Sequence, residues 1–377
     1  MRRRLGHARK RLRRAWRRTR RLSKPLKRVL SSKKEALEDR STRRVHRWIV
    51  QLTLKHLHGP RKLPYALDEL VVVCVVRNGR SYIGSFINHY LSLGAKHIVF
   101  LDNDSDDDTV AAARDHEHVT VVQSKLPFDK YGFAMKEYLI SRFGKGRWSL
   151  CADIDELFDY PYSDVVSLSS LLTYLNRKSY TAVVTQMLDM FPNRALSSRV
   201  SQNDEPLKER YPFYDVSNIA RRDYYRGPPG RGSCMISNDN IKIFRDGIRK
   251  TYFDVSLLLT KHSLILFDGS VRHRGGRGLH RVENARVADF SCVLCHYRLV
   301  DGFQERITED VRNRGDNRQY TMAHEALKQN PNIEVKQDTA QKLKSVNELI
   351  DNGFLVVSDE YKRWAATASR RRRGGTS

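Results

Sequence analysis

Two aspartates, Asp153 and Asp155, stand two positions apart where the apolar segment 147–152 (RWSLCA) runs out. At a strand end that spacing sends both carboxylates to one face, where they can share a divalent cation, while Ile154 turns back to the core. A cation held there would neutralise charge developing on the oxygens of a diphosphate leaving group. A second acidic group runs from Asp102 to Asp108, again directly after an apolar segment. Asp106 to Asp108 suit the start of a helix, whereas Asp102, the first polar residue beyond the apolar run, is placed to accept a hydrogen bond from a nucleobase N–H. Arg77-Asn78 follows another apolar run, and His296 lies in a late one.

The elements that must position these residues alternate. Residues 69–76 (ELVVVCVV) read as a strand covered on both faces. A helix over 80–93, with Ile83, Phe86, Ile87, Tyr90 and Leu91 on one side, is ended by Gly94. Strands at 96–101, 119–122 and 147–152 and helices at 109–115 and 132–143 follow, then a helix at 168–176 and a strand at 180–187. This alternation predicts a doubly wound α/β sheet, in which ligands sit beyond the carboxyl ends of the strands. Residues 192–250, with Gly227-Pro-Pro-Gly, read as long substrate-facing loops. A late strand is expected at 289–298, and helices at 302–313, 317–329 and 339–350 would close the domain.

The 377-residue chain carries a net charge of +26, unevenly spread. Residues 1–63 hold 24 basic and 3 acidic side chains and Arg370 to Arg373 add four positive charges, leaving about +1 for the body. The expected domains are a basic arm (1–63), a catalytic body (64–300), a helical segment (301–365) and a basic disordered tail (366–377). In the arm, Leu5, Ala8, Leu12, Ala15, Trp16, Thr19 and Leu22 recur at helical spacing. This fits attachment to an anionic membrane surface and equally a nucleic-acid-sticky tail; residues 1–34, Arg-rich and without an acidic side chain, also resemble a mitochondrial presequence. The longest apolar run, Leu70 to Val76, is far too short to span a bilayer. Five cysteines, an odd number, read as reduced thiols, placing the chain in the cytoplasm or at the inner face of a membrane. Cys292 and Cys295 lack the second pair of a structural zinc site and read as buried strand thiols.

The order VVVCVVRN, LGAKHIVFLDNDSDDDT and GRWSLCADIDELFDYP resembles bacterial family 2-type glycosyltransferases with the nucleotide-sugar-binding (GT-A) fold, over about residues 69–305. The resemblance implies a Rossmann-like mixed sheet and inverting transfer of a sugar from a nucleotide-diphosphate donor to a glycan or lipid-linked acceptor, assisted by Mn²⁺ or Mg²⁺. It implies that Arg77, Asn78, Asp102, Lys136, Asp153 and Lys261 bind the donor and that Asp153, Asp155 and His296 hold the metal. One departure stands out: the family has an acidic residue after Arg/Lys-Asn, and this chain has Gly79. For the general base that takes the acceptor's proton, Asp189 is the first candidate because it follows a strand, with Asp254 and Asp268 in reserve.

Two other readings remain. A haloacid-dehalogenase-type phosphatase also places D-x-D after a strand, but wants Thr or Val where this chain has Leu157. A basic nucleic-acid-binding protein would explain the charge, yet the near-neutral body offers neither a helix-turn-helix nor a zinc pattern, so no specific nucleic-acid partner is expected.

Overall fold

A computed structural model describes residues 41–198, 205–224, 234–274, 278–313 and 317–374. The chain divides into two units, residues 1–52 and 53–377. Residues 41–53 form helix α1; the expected helix over Leu5 to Leu22 lies outside the described residues, as does Gly227-Pro-Pro-Gly.

The second unit opens with β1 (Lys55–His58), β2 (Val71–Val76), α2 (Arg80–Leu93), β3 (His97–Asp102), α3 (Thr109–Arg114), β4 (Val119–Gln123), α4 (Phe128–Phe143) and β5 (Trp148–Cys151). After a turn come β6 (Glu156–Asp159), α5 (Leu168–Arg177) and β7 (Ala182–Asp189). The expected loop region holds short pieces: α6 (Leu207–Arg210), β8 (Phe213–Tyr214), β9 (Ile219–Asp223), β10 (Met235–Ile236), β11 (Lys242–Asp246) and α7 (Ile248–Phe253). β12 (Thr260–Leu266), β13 (Arg272–Arg274), β14 (Arg281–Glu283) and β15 (Arg286–His296) lead to α8 (Phe303–Asn313), α9 (Arg318–Gln329), β16 (Gln341–Lys342), α10 (Glu348–Asp351) and α11 (Asp359–Gly374).

The main sheet runs β1-β4-β3-β2-β5-β12-β7-β15-β10, with β6 also paired to β15. Two parallel blocks, β4-β3-β2-β5 and β7-β15-β10, are joined by β12, which is antiparallel to both β5 and β7. The fold is therefore a mixed α/β sheet. Every residue of β2 is buried, as a β-branched run covered on both faces must be. Tyr82, Ile83, Phe86, Ile87 and Tyr90 of α2 pack into the same core, and Gly94 ends the helix in the left-handed region at φ 101°.

Three sequence expectations need correction. The arm does not extend to residue 63, because Lys55–His58 pairs antiparallel with β4 and belongs to the sheet. The helix expected at 339–350 is only α10, preceded by the two-residue β16. The tail from 366 is helical as far as Gly374, because Tyr361, Trp364, Ala365 and Ala368 recur on one face of α11. Tyr361 stacks on Phe290 at 4.1 Å between ring centroids, and Arg177 lies over the Trp364 ring.

Candidate active site

Asp153 and Asp155 sit in the turn between β5 and β6, closed by the Glu156 N–H donating to the Asp153 carbonyl at 2.9 Å. Strand alternation therefore does not place them. The turn sends the two carboxylates to different partners. Lys136, buried on α4, contacts Asp153 Oδ1 at 2.5 Å, and Lys261, buried on β12, contacts Asp153 Oδ2 at 3.1 Å. Lys261 also pairs with buried Glu156, whose other oxygen accepts from the Asp153 N–H at 3.0 Å. Lys261 is thus no exposed lysine. Burial alone would raise the Asp153 carboxyl, but Lys136 and then Lys261 outweigh it and hold the group far below the usual range.

The second partner set grows from sheet register. His296 ends β15 opposite Asp189 of β7 on one side and Glu156 of β6 on the other. Its Nδ1 lies 2.6 Å from Asp189 Oδ1, and its Nε2 lies 3.5 Å from Asp155 Oδ2. Backbone bonds fix both ends: the Tyr297 N–H donates to the Asp155 carbonyl at 2.8 Å and the Met190 N–H to the His296 carbonyl at 2.9 Å. Arg249 of α7 donates from Nε to Asp189 Oδ2 at 2.8 Å. Against the downward push of burial, Asp155 and then Asp189 draw the His296 imidazole up to about 9. Burial would raise Asp155, but His296 and, further off, Arg298 hold it well below the ordinary range. Asp189 is lowered in the same way: Arg249 and His296 outweigh its burial.

Asp189 was expected to be open to an acceptor hydroxyl. It is instead buried, and each of its oxygens already accepts a hydrogen bond. The reserve candidates have local partners too. Asp254 closes α7 in the left-handed region and pairs with Lys250, while Asp268 accepts from Ser270 in the turn after β12.

The mouth above β2 and β3 is built from turns. Asn78 takes a left-handed φ of 52°, and its Oδ1 accepts from the Asp106 N–H at 3.1 Å. It thereby ties the first crossover to the acidic loop, while Arg77 beside it is exposed. A Cβ on Gly79 would stand 2.5 Å from Val76 Cγ2 and 3.2 Å from Ile154 Cγ1. The missing acidic residue thus has a steric reason: Val76, and beside it Ile154 of the Asp153–Asp155 turn, pack where its side chain would begin. Asp102 is fully buried at the end of β3, with Gln123 donating to Oδ2 at 2.9 Å and the Ser105 N–H 3.3 Å from both oxygens. Asp107 accepts from the backbone N–H groups of Arg80 and Thr109, fastening the start of α2 to that of α3.

No family profile matches the chain, and no curated protein matches it. Among solved structures, a nucleotidyl transferase from Methanothermobacter thermautotroptrophicus is similar at 12% identity and a TM-score of 0.20. The likeness covers 34% of this chain and 64% of that one. So slight a likeness bears on neither mechanism nor substrate.

The structure brings Lys136, Asp153, Lys261, Asp155, His296 and Asp189 into two linked clusters. It adds Glu156 and Arg249, which sequence reasoning left without a role. Glu156 had a signal, since it continues the D-x-D motif. Arg249 had none: it is 60 residues from Asp189 in sequence, within a stretch read as loop. Cys292 and Cys295 are buried free thiols on β15, as expected. Among the described residues no group of three or more His, Cys, Asp and Glu side chains is placed to hold a metal, and no helix is long and apolar enough to cross a membrane.

Proposed function

We propose that this chain is a metal-assisted glycosyltransferase that moves a sugar from a nucleotide-diphosphate donor to a glycan or lipid-linked acceptor, on a GT-A-type sheet. One observation carries the reading. Asp155 Oδ2 and His296 Nε2 face each other across 3.5 Å while the far nitrogen of the same imidazole is held by Asp189 at 2.6 Å. A carboxylate behind a histidine fixes the ring's orientation and raises its basicity, as it does for metal-ligating histidines. Two protein donors suit Mn²⁺ or Mg²⁺, because such a hard cation takes the rest of its oxygens from substrate phosphates rather than from an all-protein cage.

Charge points the same way. With a proton on His296, Lys136, Lys261, Arg249 and His296 balance Asp153, Asp155, Glu156 and Asp189. A divalent cation at Asp155 and His296 would take the place of that proton, and its chemistry there would be to neutralise a departing diphosphate. Asp153, with both oxygens on ammonium groups, holds Lys136 and Lys261 in place beside the phosphates, and Asp155 with His296 is the metal-binding pair. Asp189 and Arg249 orient His296. Arg77 and Asn78 lie at the nucleoside end, and buried Asp102 beneath them fixes the turn at Ser105. The phosphatase alternative needs a free nucleophilic oxygen on Asp153, and Lys136 and Lys261 occupy both.

Calorimetric titration with a panel of nucleoside diphosphates, with and without Mn²⁺, tests this. UDP is expected to bind on the order of tenfold tighter or more with Mn²⁺, and Asp155→Ala and His296→Ala should erase that increment without changing the circular dichroism. A folded chain that binds no nucleoside diphosphate under either condition would overturn the proposal.

A further inference from the structure

Helix α1 places three large apolar side chains in the open. Val45 is 53%, Trp48 61% and Leu52 63% exposed. At 100° per residue these positions, spaced three and four apart, fall within a sector of about 60° on one side of the helix. Exposed Arg44 borders that sector on one side and half-buried Ile49 on the other, while the opposite side carries buried Val50, flanked by half-buried His46 and exposed Arg47. An apolar stripe with a tryptophan in it and an arginine at its edge suits a boundary between water and lipid. The indole and the aliphatic groups enter the headgroup region and the guanidinium group stays at the phosphates.

We infer that α1 docks on an anionic bilayer, lying in the interface plane with Val45, Trp48 and Leu52 inserted. Charge complementarity selects the occupant. Residues 1–63 carry 24 basic against 3 acidic side chains, whereas the rest of the chain is close to neutral until Arg370. That bias attracts a surface rich in anionic headgroups. Nucleic acid would satisfy the charge but has no use for an exposed Val-Trp-Leu stripe, because phosphate contacts are electrostatic and salt-labile. The inference stands apart from the transfer chemistry: it concerns where the molecule works.

The test uses the full chain and sedimented vesicles of phosphatidylcholine, alone or mixed with phosphatidylglycerol. The wild type should bind the mixed vesicles far more tightly than the neutral ones at low salt, and keep a weaker binding to both at about 1 M salt, where the screening length falls to ~3 Å and only apolar insertion remains. A variant carrying Val45→Ser, Trp48→Ser and Leu52→Ser should still bind at low salt, yet partition on the order of 10²-fold less at high salt, because the unscreened apolar part is gone. These side chains are exposed, so an unchanged circular dichroism spectrum is expected. Equal retention of both proteins at high salt would overturn the inference. So would tight, salt-labile binding to duplex DNA with none to vesicles. A change in oligomeric state with vesicle binding unaltered would assign the stripe to a second copy of the chain and likewise overturn it.

Discussion

Asp189 accepts from an arginine on one oxygen and from a histidine on the other, and this double use separates orienting a ligand from taking a proton. A carboxylate whose proton affinity is lowered by Arg249 and His296 is a poor base and a good anchor. Asp189→Asn should therefore weaken Mn²⁺ affinity by on the order of 10- to 100-fold, read by electron paramagnetic resonance, with the fold unchanged. Intact Mn²⁺ affinity alongside lost turnover would return Asp189 to the role of general base. At this scale the sequence singled out Asp153 and Asp155, although a turn rather than a strand end places them. It was silent where a partner comes from a distant, irregular segment: nothing in the string around Arg249 marks it as the companion of Asp189.

β12 and the hairpin that follows it hold three histidines, His262 and His273 buried and His280 half-buried. His262 on β12, His273 on β13 and His280 before β14 are held neutral, burial being the main cause in each, with pKa values of about 3, 4 and 4. The unfolded chain binds protons at these positions near pH 6.5, which the folded chain refuses. Their contribution to stability is thus full above about pH 6.5 and is lost progressively as pH falls toward 4. At pH 5 the loss is about 2 kcal/mol per histidine. Urea midpoints should drop clearly between pH 7 and pH 5, and less so in a His262→Gln variant; a flat profile in the wild type would refute the buried-neutral assignment. Element type was legible wherever periodicity was long, as in β2 and α2. Direction was not. β12 was not read as a strand at all, and its antiparallel direction is set by the slot between β5 and β7. β16 and α10 were misread as one helix because a few apolar residues near 343–350 mimic helical spacing.

Across the whole chain, the shift in composition near residue 63 and the boundary between units near residue 52 do not coincide. Charge changes where the acidic residues begin, whereas the fold begins where backbone can pair, at Lys55. Removing residues 1–52 should leave the melting temperature of the body within about 2 °C of the full chain's. Removing 1–63 strips β1 from β4 and the Pro60 carbonyl from Thr120, and a loss of about 1 to 3 kcal/mol would lower it by several degrees. Equal melting of the two truncated chains would show that β1 adds nothing. The joining of two parallel blocks by β12 also sets a timetable for synthesis. The edge of β5 is complete at Cys151, but the strand that covers it begins at Thr260. At a typical 5–20 residues per second, a ribosome leaves that edge, and the carboxylates awaiting Lys261, uncovered for about 5 to 20 s. For that interval the nascent chain is a natural client for a chaperone that shields open strand edges.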